Sequence, residues 1–197
     1  MISWSITAVL WAVSVFYMWK RKIWLLYYII GAVGFALLAI TLMRGTVMEF
    51  TLARGTTMIL HRLLSGMAIP SYLFEQAPQT ILVLIGLDNG WTTINIDIEC
   101  SGLLEACVLS GLILFYPGYA FKRTVYYTAL GLAMLYLANI IRMITIIAVM
   151  DVGGRELIYV SHTLIGRLVF FVLMIAIYWF VLTGPSLRII RDKVKDA

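Results

Sequence analysis

The chain carries no Asp, Glu, Lys or Arg between residues 23 and 43, and residues 2–19, 101–116, 124–150 and 159–183 hold at most one of these apiece. A backbone that enters lipid finds no water for its N–H and C=O groups, so such runs fold as helices. At 1.5 Å rise per residue, about 20 apolar residues cross the ~30 Å hydrocarbon layer. Each of the five runs is therefore read as a membrane-spanning helix, with membrane lipid as its first partner. Composition agrees: 62% of the 197 residues are hydrophobic and 13% charged, far from the balance of a soluble domain. The expected fold is an all-α polytopic membrane protein, with residues 1–197 forming a single integral membrane domain and residues 44–100 an outer segment.

Positive charge orients the spans. Lys and Arg collect on cytoplasmic loops, so Lys20-Arg21-Lys22, Lys122-Arg123 and the tail residues Arg188, Arg191, Lys193 and Lys195 are expected on one side. Five spans satisfy this with the N-terminus outside and the C-terminus cytoplasmic, in a cell membrane. A cleaved signal peptide carries its basic residues before the apolar run; here they follow it, so the first span is retained. The net charge of +5 sits beside apolar spans, where it acts as an orientation signal rather than a nucleic-acid footprint.

The outer segment has two parts. Residues 47–69 mix Met, Leu and Ile with Glu49, Arg54, His61 and Arg62. A central Arg costs about 2.5–3.5 kcal/mol on insertion scales, so this stretch is expected as a helix lying in the interface, ended by Pro70. Residues 80–87 and 91–98 then flank Asp88-Asn89-Gly90, a turn signal, and alternate as a β-hairpin does. The hairpin leads straight into Cys100.

Three residues from three spans carry types suited to one chemistry. Cys100, in Glu99-Cys100-Ser101-Gly102, stands at a strand-to-helix junction, where the positive end of a helix favours a thiolate. The alternative for such a cysteine is a small buried hydrophobe, a role that suits Cys107 among its apolar neighbours. Seven residues of helix would separate the two thiols by about 10.5 Å, beyond disulfide reach. Arg142 lies inside the fourth span with Asn139 one turn before it, on nearly the same face. An intramembrane arginine marks a polar interior and a function, or a structural pairing with a carboxylate such as Glu105. His162 opens the fifth span, where a histidine serves either the core or proton transfer. A thiol nucleophile needs a base or cation to ionise, and its tetrahedral intermediate needs donors for the oxyanion. His162 and Arg142 supply both types.

Arg54, His61 and Arg62 are expected to anchor the interfacial helix among headgroups, with substrate contact as the alternative. Arg167 points elsewhere on its helix and is expected to snorkel or pair. Aromatic residues at span ends, Trp4, Trp19, Trp24, Tyr116, Tyr119 and Trp179, form interface belts. Two histidines and two cysteines in this arrangement match no metal-ligand spacing, and no cofactor is expected.

The order Cys100-Ser101-Gly102, Asn139-Ile140-Ile141-Arg142 and His162 resembles the exosortase and archaeosortase family of membrane cysteine transpeptidases, over about residues 60–180. With fewer spans than many of its relatives, the chain is similar to the short, G-type forms. The resemblance implies an outward-facing cysteine peptidase acting on secreted proteins that bear a C-terminal sorting signal. It further implies that Cys100 forms a thioester, that His162 is the acid/base partner, and that Arg142 holds the oxyanion. Asn139, Ser101 and Gly102 would support them, and a lipid or glycan of the envelope would accept the released protein. A reading from another class is a non-catalytic subunit of a transport or polysaccharide-export assembly, with Arg142 lining a substrate path. A serine-type intramembrane protease lacks its Gly-x-Ser-x-Gly motif here.

Overall fold

The computed structural model describes residues 2–66, 69–74, 81–87, 90–96 and 101–195. Among them are α1 (Ile2–Lys20), α2 (Trp24–Met43), α3 (Val47–Gly66), β1 (Ser71–Phe74), β2 (Ile81–Leu87), β3 (Gly90–Ile96), α4 (Leu103–Leu114) and α5 (Phe121–Gly153). A 3₁₀ turn at Arg155–Leu157 and a short α6 (Ile158–Val160) lead to a π-helical turn at Ser161–Ile165 and to α7 (Gly166–Tyr178). A second π-helical turn, Trp179–Thr183, precedes α8 (Gly184–Lys195). The protein is mostly helical with a small antiparallel sheet, as its hydropathy implies.

Three helical stretches are long and apolar enough to cross a membrane: Trp24–Met43, Phe121–Gly153 and Ile158–Ile189. Ser5–Lys20 and Leu103–Leu114 are apolar but shorter. The run expected to span at residues 101–116 is helical over only 12 residues, about 18 Å of rise. Its start is delayed by a turn at Ser101-Gly102, where Gly102 takes a φ of +77° that side chains with a Cβ disfavour.

The chain divides into two compact units. One comprises Met1–Leu42, Leu104–Ala133 and Ile177–Ala197. Here α1 ends on Lys22 at φ 57°, with Lys22 N–H bonded to Trp19 O and Ile23 N–H to Met18 O. That pair of bonds is a Schellman cap, which turns the chain into α2. Against α2, α4 comes close enough that a Cβ on Gly111 would lie 2.6 Å from the Ala32 carbonyl oxygen. Small residues at such a crossing let two backbones approach where no hydrophobic force drives helices together. Phe115 fills the end of this contact, its ring 5.9 Å from Trp11, 5.7 Å from Tyr27 and 6.1 Å from Phe35.

The other unit comprises Met43–Leu103 and Met134–Ala176. Its sheet has the order β1-β2-β3, both pairs antiparallel, with Ser71 opposite Ile85 and Leu87 opposite Gly90. The tight β2–β3 connection matches the Asp88-Asn89-Gly90 turn signal, although Asp88 and Asn89 lie outside the described residues. At the start of α3, the Glu49 carboxylate accepts the Gly45 N–H at 2.6 Å, satisfying a donor near the helix N-terminus. Ala53, Leu60 and Leu64 of α3 form one core cluster with Ile69, Ile85 and the α5 residues Met143, Ile146, Ile147 and Met150. The buried stripe of α3, residues 53, 56, 57, 60 and 64, recurs at helical spacing. The helix expected to bed its apolar face in the lipid interface thus buries that stripe against protein.

Candidate functional site at the Asn139–Arg142 turn

Among the described residues, Ser101, Gly102, Asn139, Arg142 and His162 belong to the second unit. Cys100 itself lies outside the described residues, as does Glu99. The two residues after it are placed. Ser101 is buried, and its hydroxyl oxygen lies 3.4 Å from the Leu103 N–H at the start of α4, in the position of a loose cap. Gly102 rests against α5: a Cβ there would lie 3.3 Å from Leu135 Cδ2, 3.5 Å from Asn139 Cγ and 3.6 Å from Asn139 Nδ2. The structure therefore brings Gly102 to the Asn-x-x-Arg helix, nearly forty positions further along the chain.

Asn139 has no exposed surface, and Arg142, one turn on, is 6% exposed. The Arg142 guanidinium carbon stands over the Phe170 ring at 5.2 Å from its centroid. A desolvated cation–π contact is worth about 2 kcal/mol, so Phe170 offsets much of the cost of holding Arg142 away from water. Phe170 is a partner of Arg142 that sequence reasoning missed. Nothing in the sequence separates it from the other aromatics of an apolar helix, which serve equally well as lipid contacts.

The helix that brings Phe170 also carries His162. A Cβ on Gly166 would meet the Ile146 side chain at 2.7 Å, so the pairs 142–170 and 146–166 fix an antiparallel register between α5 and α7. His162 stands four positions before Gly166, on the side of that contact nearer the C-terminal end of α5. His162 is half-buried within the π-helical turn Ser161–Ile165, next to the fully buried Ser161, whose hydroxyl donates to Ile158 O at 3.1 Å. Such π turns gather at functional sites because the extra residue re-aims side chains.

Of the residues weighed for substrate contact, Arg54 and Arg62 are exposed on α3. His61 turns the other way. Its Nδ1 shares a 2.7 Å hydrogen bond with the buried Ser71 hydroxyl, tying α3 to β1. It is thus a clamp on the sheet that precedes Cys100, a partnership with no signature in spacing because ten residues and a change of element separate the pair. Arg167 is exposed on α7, as a residue pointing away from the site should be. Cys107 is buried on α4, at 4% exposure. Comparison of the chain with protein-family models, with curated proteins and with solved structures yields no match in any of the three.

Proposed function

We propose that this protein is a membrane-embedded cysteine transpeptidase of the exosortase and archaeosortase type. Cys100 is its nucleophile, Arg142 its oxyanion holder and His162 its acid/base group. The observation that supports this most is the docking of Gly102 on Asn139, one turn from the buried Arg142. An arginine in such a place is retained at a cost of several kcal/mol, and residues of that kind mark function.

The chemistry follows from the residue types. The Cys100 thiolate attacks the scissile carbonyl carbon, and the negative charge that develops on the carbonyl oxygen falls to the guanidinium N–H groups of Arg142. Collapse of the intermediate expels the amine of the C-terminal fragment, which takes a proton from His162 and leaves a thioester on Cys100. An amine or hydroxyl on an envelope lipid or glycan, deprotonated by His162, then displaces the thiol. The substrate is a secreted protein with a C-terminal sorting signal, and its membrane anchor is exchanged for a covalent one. In this reading the chain crosses the membrane five times, with α1 and the short α4 completing the set, and the site faces outward.

The test is processing of a co-expressed substrate by Cys100→Ala, Cys100→Ser and Cys107→Ala proteins present at equal abundance. Both Cys100 variants are expected to lose processing by at least a hundredfold, while Cys107→Ala retains it. Normal processing by Cys100→Ser would reject covalent catalysis and leave the transport-subunit reading in its place.

A further inference from the structure

Segments adjoining the three basic clusters of the chain meet in the first unit. Tyr28, just after Lys20-Arg21-Lys22, packs its ring 6.0 Å from Tyr116, and Tyr116 packs 4.7 Å from Tyr119. The Tyr119 hydroxyl, just before Lys122-Arg123, donates to Val181 O at 2.9 Å and to Leu182 O at 3.2 Å, where the last helix approaches α8. Tyr126 and Tyr127 extend the aromatic group, with Tyr127 5.2 Å from Tyr119. A layer of tyrosines beneath a layer of cations is the arrangement of a membrane–water boundary.

At this boundary the last helix has a built-in place to bend. Pro185 has no N–H to give the Val181 carbonyl, the π-helical turn Trp179–Thr183 lies directly before it, and Gly184 adjoins it. The Tyr119 hydroxyl supplies the missing donor. Burial pushes its pKa upward, so it stays protonated to donate, although the Ser186 hydroxyl acts in the opposite direction.

Beyond Pro185, the composition changes. Leu187, Ile190 and Val194 share one face of α8 by helical spacing. Arg188, Arg191 and Lys195 form a parallel row beside them, and Lys193 falls on the far flank. Four cations oppose the single carboxylate Asp192. Leu187 is 52% exposed, and Arg188, Arg191 and Lys195 are exposed as well. An apolar stripe between cationic flanks belongs in the headgroup layer, where the stripe enters the acyl boundary and the cations meet phosphates.

We propose that α8, together with the Lys20–Lys22 and Lys122–Arg123 clusters at the same end, is a docking surface for a bilayer of anionic phospholipid, the α8 helix lying along the headgroups from the Gly184–Pro185 bend. The inference is independent of the Cys100 chemistry. It commits to the lipid surface because the apolar stripe needs acyl chains, which free phosphate cannot provide.

The test is amide hydrogen exchange of the full-length protein in nanodiscs of phosphatidylcholine alone and of phosphatidylcholine with 30% phosphatidylglycerol. Exchange in residues 186–195 is expected to slow at least tenfold in the anionic discs and to recover at high salt. Adding inorganic phosphate to neutral discs should not slow it. In a variant with Arg188→Gln, Arg191→Gln, Lys193→Gln and Lys195→Gln, the difference between discs should vanish while α5 keeps its protection, showing an intact fold. Equal exchange in the two discs, slowing by phosphate alone, or a difference that survives neutralisation would each overturn the proposal.

Discussion

Arg142 is where a single residue decides most. Its charge alone satisfies neither geometry nor energetics: the guanidinium is a planar fork that can stand over Phe170 and still direct N–H groups along its plane. Lysine offers a compact point charge without that plane. Under the proposed chemistry, Arg142→Lys is therefore expected to lower transpeptidation by about 10²–10³-fold, the usual loss when an oxyanion donor is removed, with little change in abundance. Single-turnover rates on a defined substrate measure this, and a variant within threefold of the parent would show that Arg142 supplies only charge. The identity of this residue was readable from the chain, because a lone arginine in an apolar helix is expensive and Asn139 falls beside it at helical spacing. Phe170 was not readable, since hydropathy treats a ring against a cation and a ring against lipid alike. The His61–Ser71 pair was equally hidden, because nothing local announces a hydrogen bond between a helix and a strand.

Among the elements, α3 separates what periodicity can and cannot reveal. Its stripe was visible as an amphipathic pattern, but the same pattern suits a lipid interface and a protein core. The structure chooses the core: Leu60 is fully buried beside Ile85 and Met143, while Leu63, on the flank of the stripe, is 41% exposed. Leu60→Ala should cost about 2–5 kcal/mol and appear as a clear drop in melting temperature in detergent, whereas Leu63→Ala should leave it nearly unchanged. Equal effects would place α3 outside the core. The hairpin was legible from its turn residues and alternation, with β3 beginning one residue earlier than expected, at Gly90. Helix α4 came out shorter than its apolar run because hydropathy does not register the positive φ of Gly102. The π-helical turns around His162 and before Gly184 were invisible for a related reason. One extra residue per turn alters hydrogen bonding without changing composition.

On the scale of the whole molecule, membrane class followed from composition and run length, because lipid leaves the backbone so few choices. Three helical stretches are long and apolar enough to cross a membrane, consistent with that class. Distances of Cys100 from its partners could not be read from the sequence, since they depend on helix crossings that apolar periodicity does not encode. The account rests on a nucleophilic Cys100 open to the exterior beside Arg142. Intact cells treated with a membrane-impermeant maleimide test this most directly, with peptide mapping of the thiols and substrate processing followed together. The account predicts that Cys100 is alkylated from outside, that buried Cys107 is spared, and that processing falls in step with the modification. Labelling of Cys100 only after the membrane is breached, or processing that continues after full modification, would contradict it.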